Sequence, residues 1–380
     1  MTKEAATKDG KAPAAPGRRL LHVFPSFERG GVPIRIATIV NRWGGRYRHR
    51  IVSLSGETGA QSRLAPEAAV ELLRAPPETG GLVGRLRSIR RVLRATAPDL
   101  LITYNWGATE WAMANRLAPV SPHIHCESGF GPEEATRQIP RRVLFRRLAL
   151  ARSRCLVVPS RTLADLAAQV WRIDPGRIRY IANGVDCDLY GGPADPAAVP
   201  GYARAPGRVW IGTLAPLRAE KNLSRLLRAF APLAPTGARL LIVGDGAERS
   251  LLEALAAELG IADAVLFAGH VERPETVLGL MDVFAMSSDT EQMPNSLLQA
   301  MAASLPVAAL AVGDTAPILA AENRPLIAPA GDEAGLGAAL ARLADHPDLR
   351  RELGAANRAR ARAAYDQETM FAAYRDLWDG

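Results

Sequence analysis

The residues best suited to chemistry lie in the stretch Ser287–Ala309, where a carboxylate precedes the start of a predicted helix. Glu291 follows a short apolar run typical of a strand, and Pro294 then opens an Ala/Leu-rich helix. The first backbone N–H groups of a helix have no partner within it and attract a phosphate group. A neighbouring carboxylate accepts hydrogen bonds from hydroxyl groups. The stretch therefore predicts a site for a ligand with phosphate and hydroxyl groups. The amides predicted to cradle the phosphate are those of Asn295, Ser296 and Leu297.

Two cations lie in a second candidate segment, Gly212–Asn222. Arg218 and Lys221 follow a predicted strand and precede a predicted helix. Cations that converge on one site can neutralise a leaving diphosphate. A solvated loop with ordinary basic residues is the alternative interpretation of this segment.

Two glycine turns each follow a strand-like run, one at Gly30 and Gly31 and the other at Gly244 and Gly246. Glycine permits a close approach between the backbone and a phosphate group. Tight turns in general use the same residues, so each turn alone is weak support for a phosphate site.

A histidine and a carboxylate, His125 and Glu127, lie at the end of another predicted strand. His123 is a second candidate in the same strand. A histidine that bonds only to nearby backbone is the alternative for both. We favour His125 as the functional residue because it is closer to the following loop.

The stretch Ser287–Ala309 resembles the E-x7-E segment of the retaining, nucleotide-sugar-dependent glycosyltransferases of family 4, with Gln299 in place of the second Glu. The segment Gly212–Asn222 resembles the GRLxxEKN motif of the same family and places Lys221 on the phosphate-binding lysine. The arginine of that motif aligns with Pro216, and we expect Arg218 to supply the guanidinium from a shifted position.

The resemblance implies a role for each candidate residue. Glu291 is expected to hold the hydroxyls of the donor sugar, and Gln299 to accept hydrogen bonds from the nucleotide ribose. Gln299 should bind the ribose less strongly than a Glu, because a charged acceptor makes the stronger hydrogen bond. The remaining expected donor contacts are Gly30 and Gly31 in an N-terminal GG loop, Gly244 and Gly246 in a turn beside the nucleotide, and His125 in the cleft.

Predicted strands alternate with predicted helices in two runs, separated by a Pro/Gly/Ala-rich segment. A chain of 380 residues is also too long for one compact core. With the resemblance, this predicts an α/β fold of the GT-B class, with two doubly wound, Rossmann-like domains facing a central cleft. The predicted parts are a disordered tail at 1–18, an acceptor domain at 19–190, a linker at 191–207, a nucleotide-sugar domain at 208–355, and a C-terminal helix at 356–380 that packs back on the N-terminal domain. The last long helical pattern is His346–Trp378.

The net charge of +8 and the pI near 9.8 favour a polyanionic partner. The stretch Arg137–Arg154 predicts a basic amphipathic helix that could lie on an anionic membrane surface, and an ordinary helix with a solvated basic face is the alternative. The sequence has no interleaved aromatic residues or zinc spacing typical of nucleic-acid binding. It has no metal-ligand spacing either, so we predict no metal and no cofactor beyond the donor substrate. Scattered cysteines and the lack of a long apolar run predict a cytoplasmic protein, peripheral on the inner face of the membrane.

The function implied is transfer of a sugar from a nucleotide diphosphate sugar to a glycan or lipid-linked acceptor, with retention of configuration and without a metal. An inactive or weakly active scaffold of the same fold is one alternative, since Pro216 and Gln299 replace charged residues of the family. A nucleotide-sugar epimerase is the other. The sequence does not identify the nucleotide, the sugar, the acceptor or the oligomeric state.

Overall fold

The computed structural model describes residues 17–77, 80–130, 134 and 137–380. Most of the predicted N-terminal tail, residues 1–16, lies outside the described residues. The strands of the described chain are β1 (Arg18–Phe24), β2 (Tyr47–Ser53), β3 (Val70–Leu73), β4 (Leu100–Tyr104), β5 (His123–Cys126), β6 (Cys155–Val158), β7 (Ile178–Tyr180), β8 (Trp210–Leu214), β9 (Arg239–Val243), β10 (Val265–Gly269), β11 (Val283–Met286), β12 (Val307–Leu310) and β13 (Ile327–Ala328).

Helices follow most of these strands. They are α1 (Gly31–Trp43), α2 (Gly81–Thr96), α3 (Thr109–Leu117), α4 (Pro140–Leu150), α5 (Arg161–Gln169), α6 (Cys187–Tyr190), α7 (Leu223–Phe230), α8 (Arg249–Glu258), α9 (Asn295–Ala302), α10 (Thr315–Ile318), α11 (Glu333–Asp345), α12 (Pro347–Ala364) and α13 (Gln367–Asp379). Among the described residues, none of these helices is both long and apolar enough to span a membrane.

The strands form two sheets, with the orders β3-β2-β1-β4-β5-β6-β7 and β10-β9-β8-β11-β12-β13. Strand β1 pairs in parallel with β2 and β4, and β8 pairs in parallel with β9 and β11. Parallel strands covered on both faces need continuous apolar runs. Strands β4, β11 and β12 meet this requirement, because every one of their residues is buried.

Two compact units make up the chain. One extends up to Ile124 and includes Arg152–Arg154, and the other contains His125–Ala151 and Cys155–Gly380. The domain boundaries predicted from composition stay a prediction. The segment 191–207 has one 3-10 turn, Pro196–Ala198, and its Val199 is buried in a hydrophobic cluster of the second unit.

The core of the first unit lies where α2 and α3 pack against β1 and β4. Leu21 and Val23 of β1 contact the same cluster as Leu101 of β4. The helices contribute Ile89 and Leu93, which are one turn apart on α2, and Trp111 of α3. This apolar stripe explains why α2 packs against the sheet although much of its remaining surface carries arginines.

The six-stranded sheet of the second unit has a hydrophobic cluster on each face. Leu240 and Ile242 of β9 belong to one cluster, whereas Leu241 and Val243 belong to the other. Successive strand residues point to opposite faces of a sheet, so this alternation places helices on both sides. Helices α7, α8 and α11 contribute to the first cluster and α9 to the second.

The predicted helical pattern His346–Trp378 is wrong as a single helix, because α12 ends at Ala364 and α13 begins at Gln367. The backbone of Val185 pairs with the chain at the junction between the two helices. The N–H of Val185 donates to Tyr365 O at 2.8 Å, and the carbonyl of Val185 accepts from Gln367 N at 3.1 Å. Asp366 then caps α13 by accepting from Glu368 N. These contacts join α13 to the turn Asn183–Asp186.

A pair of buried histidines lies in the first unit. His22 Nδ1 is 2.9 Å from the Tyr104 hydroxyl, and His22 Nε2 is 3.0 Å from His49 Nδ1. Burial lowers the pKa of His49 to about 4. Burial, and then the neighbouring His49, hold the pKa of His22 well below its usual value.

We predict that these histidines make the first unit sensitive to mild acid. Their folded pKa lies below the unfolded value, so the unfolded chain binds more protons between about pH 6.5 and pH 4. Stability is therefore fully present above about pH 6.5 and is lost as the pH falls towards 4, by roughly 3 kcal/mol for His49 alone. Urea unfolding across this range tests the prediction. His49→Gln should flatten the pH dependence, and an unchanged slope would refute it.

Candidate active site

The loop that carries Lys221 begins where β8 ends and closes against the start of α7. Residues 219–221 form a 3-10 turn, and Asn222 then adopts a left-handed conformation with φ of 43°. Asparagine tolerates this conformation better than most residues. Its side-chain oxygen accepts from Arg225 N at 3.2 Å and so caps α7. Lys221 is thereby held immediately before a helix N-terminus.

A second loop, which follows β11, is tied to the first. The Ser287 hydroxyl lies within hydrogen-bonding distance of two carbonyls of the first loop, Lys221 O at 3.1 Å and Asn222 O at 2.9 Å. Arg225 donates to Ser287 O at 2.9 Å and to the Asp289 carboxylate at 2.6 Å. These bonds fix the two loops side by side although they are far apart in sequence.

Lys221 and Glu291 form an ion pair between these loops. The distance from Lys221 Nζ to Glu291 Oε1 is 2.5 Å, across 70 residues of sequence. The Ser288 hydroxyl donates to the same carboxylate oxygen at 2.8 Å. The Lys221 and Glu291 side chains are 19% and 10% exposed, so both are largely buried but still reachable. A ligand could replace this ion pair, with an anionic group of the ligand binding Lys221 and hydroxyl groups of the ligand binding Glu291.

The N-terminus of α9 follows directly. Pro294 precedes the helix, and no side chain of the described chain caps it, which leaves the first backbone N–H groups of α9 without a capping partner. The side chain of Asn183 donates to Met293 O at 3.0 Å and to Asn295 Oδ1 at 2.8 Å. Asn183 therefore fixes the point at which the helix begins, and with it the amides of Asn295, Ser296 and Leu297.

Gln299 lies about one turn into α9. Its Nε2 donates to the Tyr190 hydroxyl at 2.7 Å. Tyr190 occupies the amide nitrogen in this arrangement, so the side-chain oxygen is the group that remains to accept a hydrogen bond.

The turn at Gly244 and Gly246 packs on the loop that carries Lys221. Gly244 has φ of 138°, and a Cβ there would lie 1.9 Å from Ala215 O. A Cβ at Gly246 would lie 2.4 Å from Leu217 O. These two glycines are therefore needed for backbone packing in the described structure. Arg218 lies on the same loop, is exposed, and has no side-chain partner within the described part of the chain.

His125 is fully buried at the end of β5, with its Nε2 3.7 Å from Glu127 Oε2. Arg146 Nε also lies 3.7 Å from that carboxylate oxygen. The guanidinium of Arg146 donates to Glu134 at 2.9 Å and lies over the ring of Trp171. His125 therefore belongs to a buried charged cluster, whereas His123 has both ring nitrogens within 2.8 Å of the hydroxyls of Thr103 and Ser153.

The structure thus brings together Lys221, Glu291 and the start of α9, with Gln299 and the glycine turn of β9 nearby. Gly30 and Gly31 belong to the other compact unit, where they start α1. Arg225, Asp289 and Tyr190 also contribute to the site, and no local motif predicts them, because their partners are distant in sequence. Within the described residues, no group of three or more His, Cys, Asp or Glu could hold a metal ion. Metal independence stays a prediction.

Two family models match the chain. A model described as "Glycosyl transferase 4-like domain" covers residues 30–184, and one described as "Glycosyl transferases group 1" covers residues 205–346. The chain is also 30% identical to the 2-deoxystreptamine glucosyltransferase of Streptomyces kanamyceticus over 277 residues, which span 67% of this chain and 70% of that protein. The chain belongs to the group 1 glycosyltransferases.

This group 1 glycosyltransferase is also similar to the lipopolysaccharide core biosynthesis glycosyltransferase LpsD of Rhizobium meliloti. The two are 33% identical over 160 residues, which are 42% of this chain and less than half, 46%, of LpsD. A solved structure of Anabaena Alr3699/HepE in complex with UDP and glucose superposes with a TM-score of 0.80 at 18% identity, covering 95% of this chain and 99% of that one. At this identity the likeness shows the fold alone, and the predicted GT-B class is confirmed.

Proposed function

We propose that this group 1 glycosyltransferase transfers a sugar from a nucleotide diphosphate sugar to a glycan or lipid-linked acceptor. The observation that carries the proposal is the Lys221–Glu291 ion pair beside the uncapped N-terminus of α9. One group suits a diphosphate, one suits sugar hydroxyls, and the helix amides add further donors for the phosphate. The reaction proceeds with retention of configuration and without an essential metal ion.

In this mechanism, Lys221 and the amides of Asn295, Ser296 and Leu297 neutralise the departing diphosphate. Fixed donors aimed at developing negative charge are usually the largest catalytic contribution. Arg218, which is exposed on the same loop, supplies a second cation when the donor is bound. Glu291 holds the sugar hydroxyls, and the side-chain oxygen of Gln299 accepts from the ribose.

The other predicted donor contacts remain part of the proposal. Gly244 and Gly246 shape the backbone next to the nucleotide, and Gly30 and Gly31 offer backbone N–H groups at the start of α1. His125 acts near the donor sugar.

UDP is the first nucleotide to test, because the solved relative Alr3699/HepE binds UDP with glucose. Relatives named for lipopolysaccharide core assembly and for 2-deoxystreptamine glucosylation support a hydroxyl-rich acceptor. A weakly active or inactive scaffold is the second candidate. It is favoured by Pro216 and Gln299, which replace charged residues expected in the donor site. A nucleotide-sugar epimerase is the third.

Turnover of UDP-, GDP- and ADP-sugars, with and without EDTA, tests the proposed reaction. We predict that Lys221→Met and Glu291→Gln each lower kcat/KM by roughly a hundredfold or more, because each removes a charge at the reacting centre. Arg228→Met is the matched control, since Arg228 lies on α7, the helix that follows Lys221, and forms an exposed ion pair with Glu333 at the start of α11. The anomeric configuration of the product, read by NMR, tests retention.

Each other outcome has a distinct meaning. Interconversion of the free donor without an acceptor would identify an epimerase, and no turnover of any donor would favour the scaffold. If Arg218→Ala keeps full turnover while Lys221→Ala loses it, the proposed role of Arg218 is wrong.

We also propose that the stretch Arg137–Arg154 contacts an anionic membrane surface. This contact would hold the enzyme in the cytoplasm at the inner face of the membrane. In the described helix α4, Arg146 is buried and bound to Glu134, so it cannot reach a lipid. Leu144 and Leu148 are 57% and 43% exposed, one turn apart. With the exposed Arg141 they form a face that suits an anionic surface.

We predict that wild-type protein pellets with phosphatidylglycerol-containing vesicles and not with pure phosphatidylcholine. The double variant Leu144→Ser/Leu148→Ser should stay largely in the supernatant, because it loses the apolar contact with the bilayer. Leu251→Ser is the control, since Leu251 is 53% exposed on α8. Equal pelleting of all three proteins would rule out α4 as the contact.

A further inference from the structure

Asp314, in the loop after β12, accepts hydrogen bonds from the N-terminus of α5 and lies next to the loop that carries Glu291. Asp314 Oδ2 accepts from Arg161 N at 2.6 Å. Asp314 Oδ1 accepts from Thr162 N at 3.0 Å and from the Thr162 hydroxyl at 2.7 Å, across 152 residues of sequence. The residue is 3% exposed, and its charge is balanced by the helix N-terminus. Asp314 therefore has the bonding of a fixed structural anion and not of a ligand-facing group.

The backbone of Asp314 is bonded to the loop that carries Glu291. Asp314 N donates to Gln292 O at 3.2 Å. Gly313, with φ of 52°, lies directly on this loop, because a Cβ there would be 2.0 Å from Glu291 O. The loop after β12 thus supports the backbone of Glu291 and of its neighbour.

The side chain of Gln292 is held by the same helix. Ser160 caps α5 by accepting from Leu163 N at 3.1 Å, and its hydroxyl donates to Gln292 Oε1 at 3.0 Å. Gln292 is therefore fixed through its carbonyl by Asp314 and through its side chain by Ser160. We name these bonds among Ser160, Arg161, Thr162, Gln292 and Asp314 the α5 clamp.

We infer that Asp314 and Gln292 are positioning residues that set the place of Glu291 for the donor sugar. This inference rests on the proposed function. Gln292, which follows Glu291 in sequence, is fixed through its side chain by Ser160 and through its carbonyl by Asp314. The backbone of Lys221 is held by a different bond, from the Ser287 hydroxyl to its carbonyl. Losing the α5 clamp should therefore displace the sugar-binding carboxylate and leave diphosphate binding intact.

Asp314→Asn is the sharpest test, because it preserves shape but turns an amide N–H₂ towards a backbone N–H donor. We expect kcat/KM for UDP-glucose transfer or hydrolysis to fall roughly tenfold to a hundredfold, since a small misplacement of a reacting group has effects of this size. The Kd for UDP alone, measured by calorimetry, should change less than about twofold, within the context dependence of such contacts. Gln292→Ala should show the same split in a milder form.

Asp332→Asn is the matched control. Asp332 caps α11 by accepting from Gly335 N at 2.8 Å, and Asn retains a capping oxygen. The variant therefore loses only the charge at a helix N-terminus, as Asp314→Asn does, without touching the Glu291 loop. It should keep nearly all of its thermal stability and the wild-type ratio of turnover to UDP affinity. If Asp314→Asn does not fold, Thr162→Val removes a single bond of the α5 clamp and serves instead.

Two failures can be told apart. Wild-type protein that turns over no nucleotide sugar refutes the proposed function, and the clamp inference with it. Active wild-type protein whose Asp314→Asn variant keeps full turnover, or loses turnover and UDP affinity in equal measure, refutes only the positioning role.

Discussion

The ion pair between Lys221 and Glu291 is the constraint on which the candidate site depends. Its partners are brought together by the strand order of the second sheet, in which β8 and β11 are neighbours. The loops at the carboxyl ends of adjacent parallel strands meet at one edge of the sheet, and such edges are where α/β folds bind ligands. Ser287 and Arg225 then hold the two loops at a fixed separation. The chemistry of the site is thus a consequence of sheet topology.

Because Lys221 and Glu291 neutralise each other, neither charge is left unpaired in the ligand-free site. A largely buried cation or carboxylate left alone would be strongly destabilising. In the proposed function, a nucleotide diphosphate sugar replaces both partners at once, with its phosphate on Lys221 and its sugar hydroxyls on Glu291. A nucleotide without its sugar would replace only Glu291 as the partner of Lys221. This difference would let the proposed site distinguish the intact donor from the product nucleotide.

Strand β11, whose residues are all buried, was predictable from sequence because its apolar run is continuous. No such run marks β3, whose four residues are mostly half-buried, or the two-residue β13. The helices α12 and α13 were predicted as one pattern, because helical periodicity does not show that the backbone of Val185 pairs at residue 366. Lys221 and Glu291 were predicted from local motifs, and the structure pairs them. The contributions of Arg225 and Asp314 could not be found in this way, because each acts through partners more than sixty residues away.

The most direct test is calorimetric titration of UDP and UDP-glucose into wild-type protein and the Glu291→Gln variant, with Glu333→Gln as the control for loss of a carboxylate paired with a cation. If Lys221 is held by Glu291 until the donor replaces it, Glu291→Gln frees the lysine. The variant should then bind UDP at least as tightly as the wild type, while the advantage of UDP-glucose over UDP is lost. Equal weakening of both ligands by Glu291→Gln would contradict the account, because Glu291 would then not distinguish the sugar from the diphosphate.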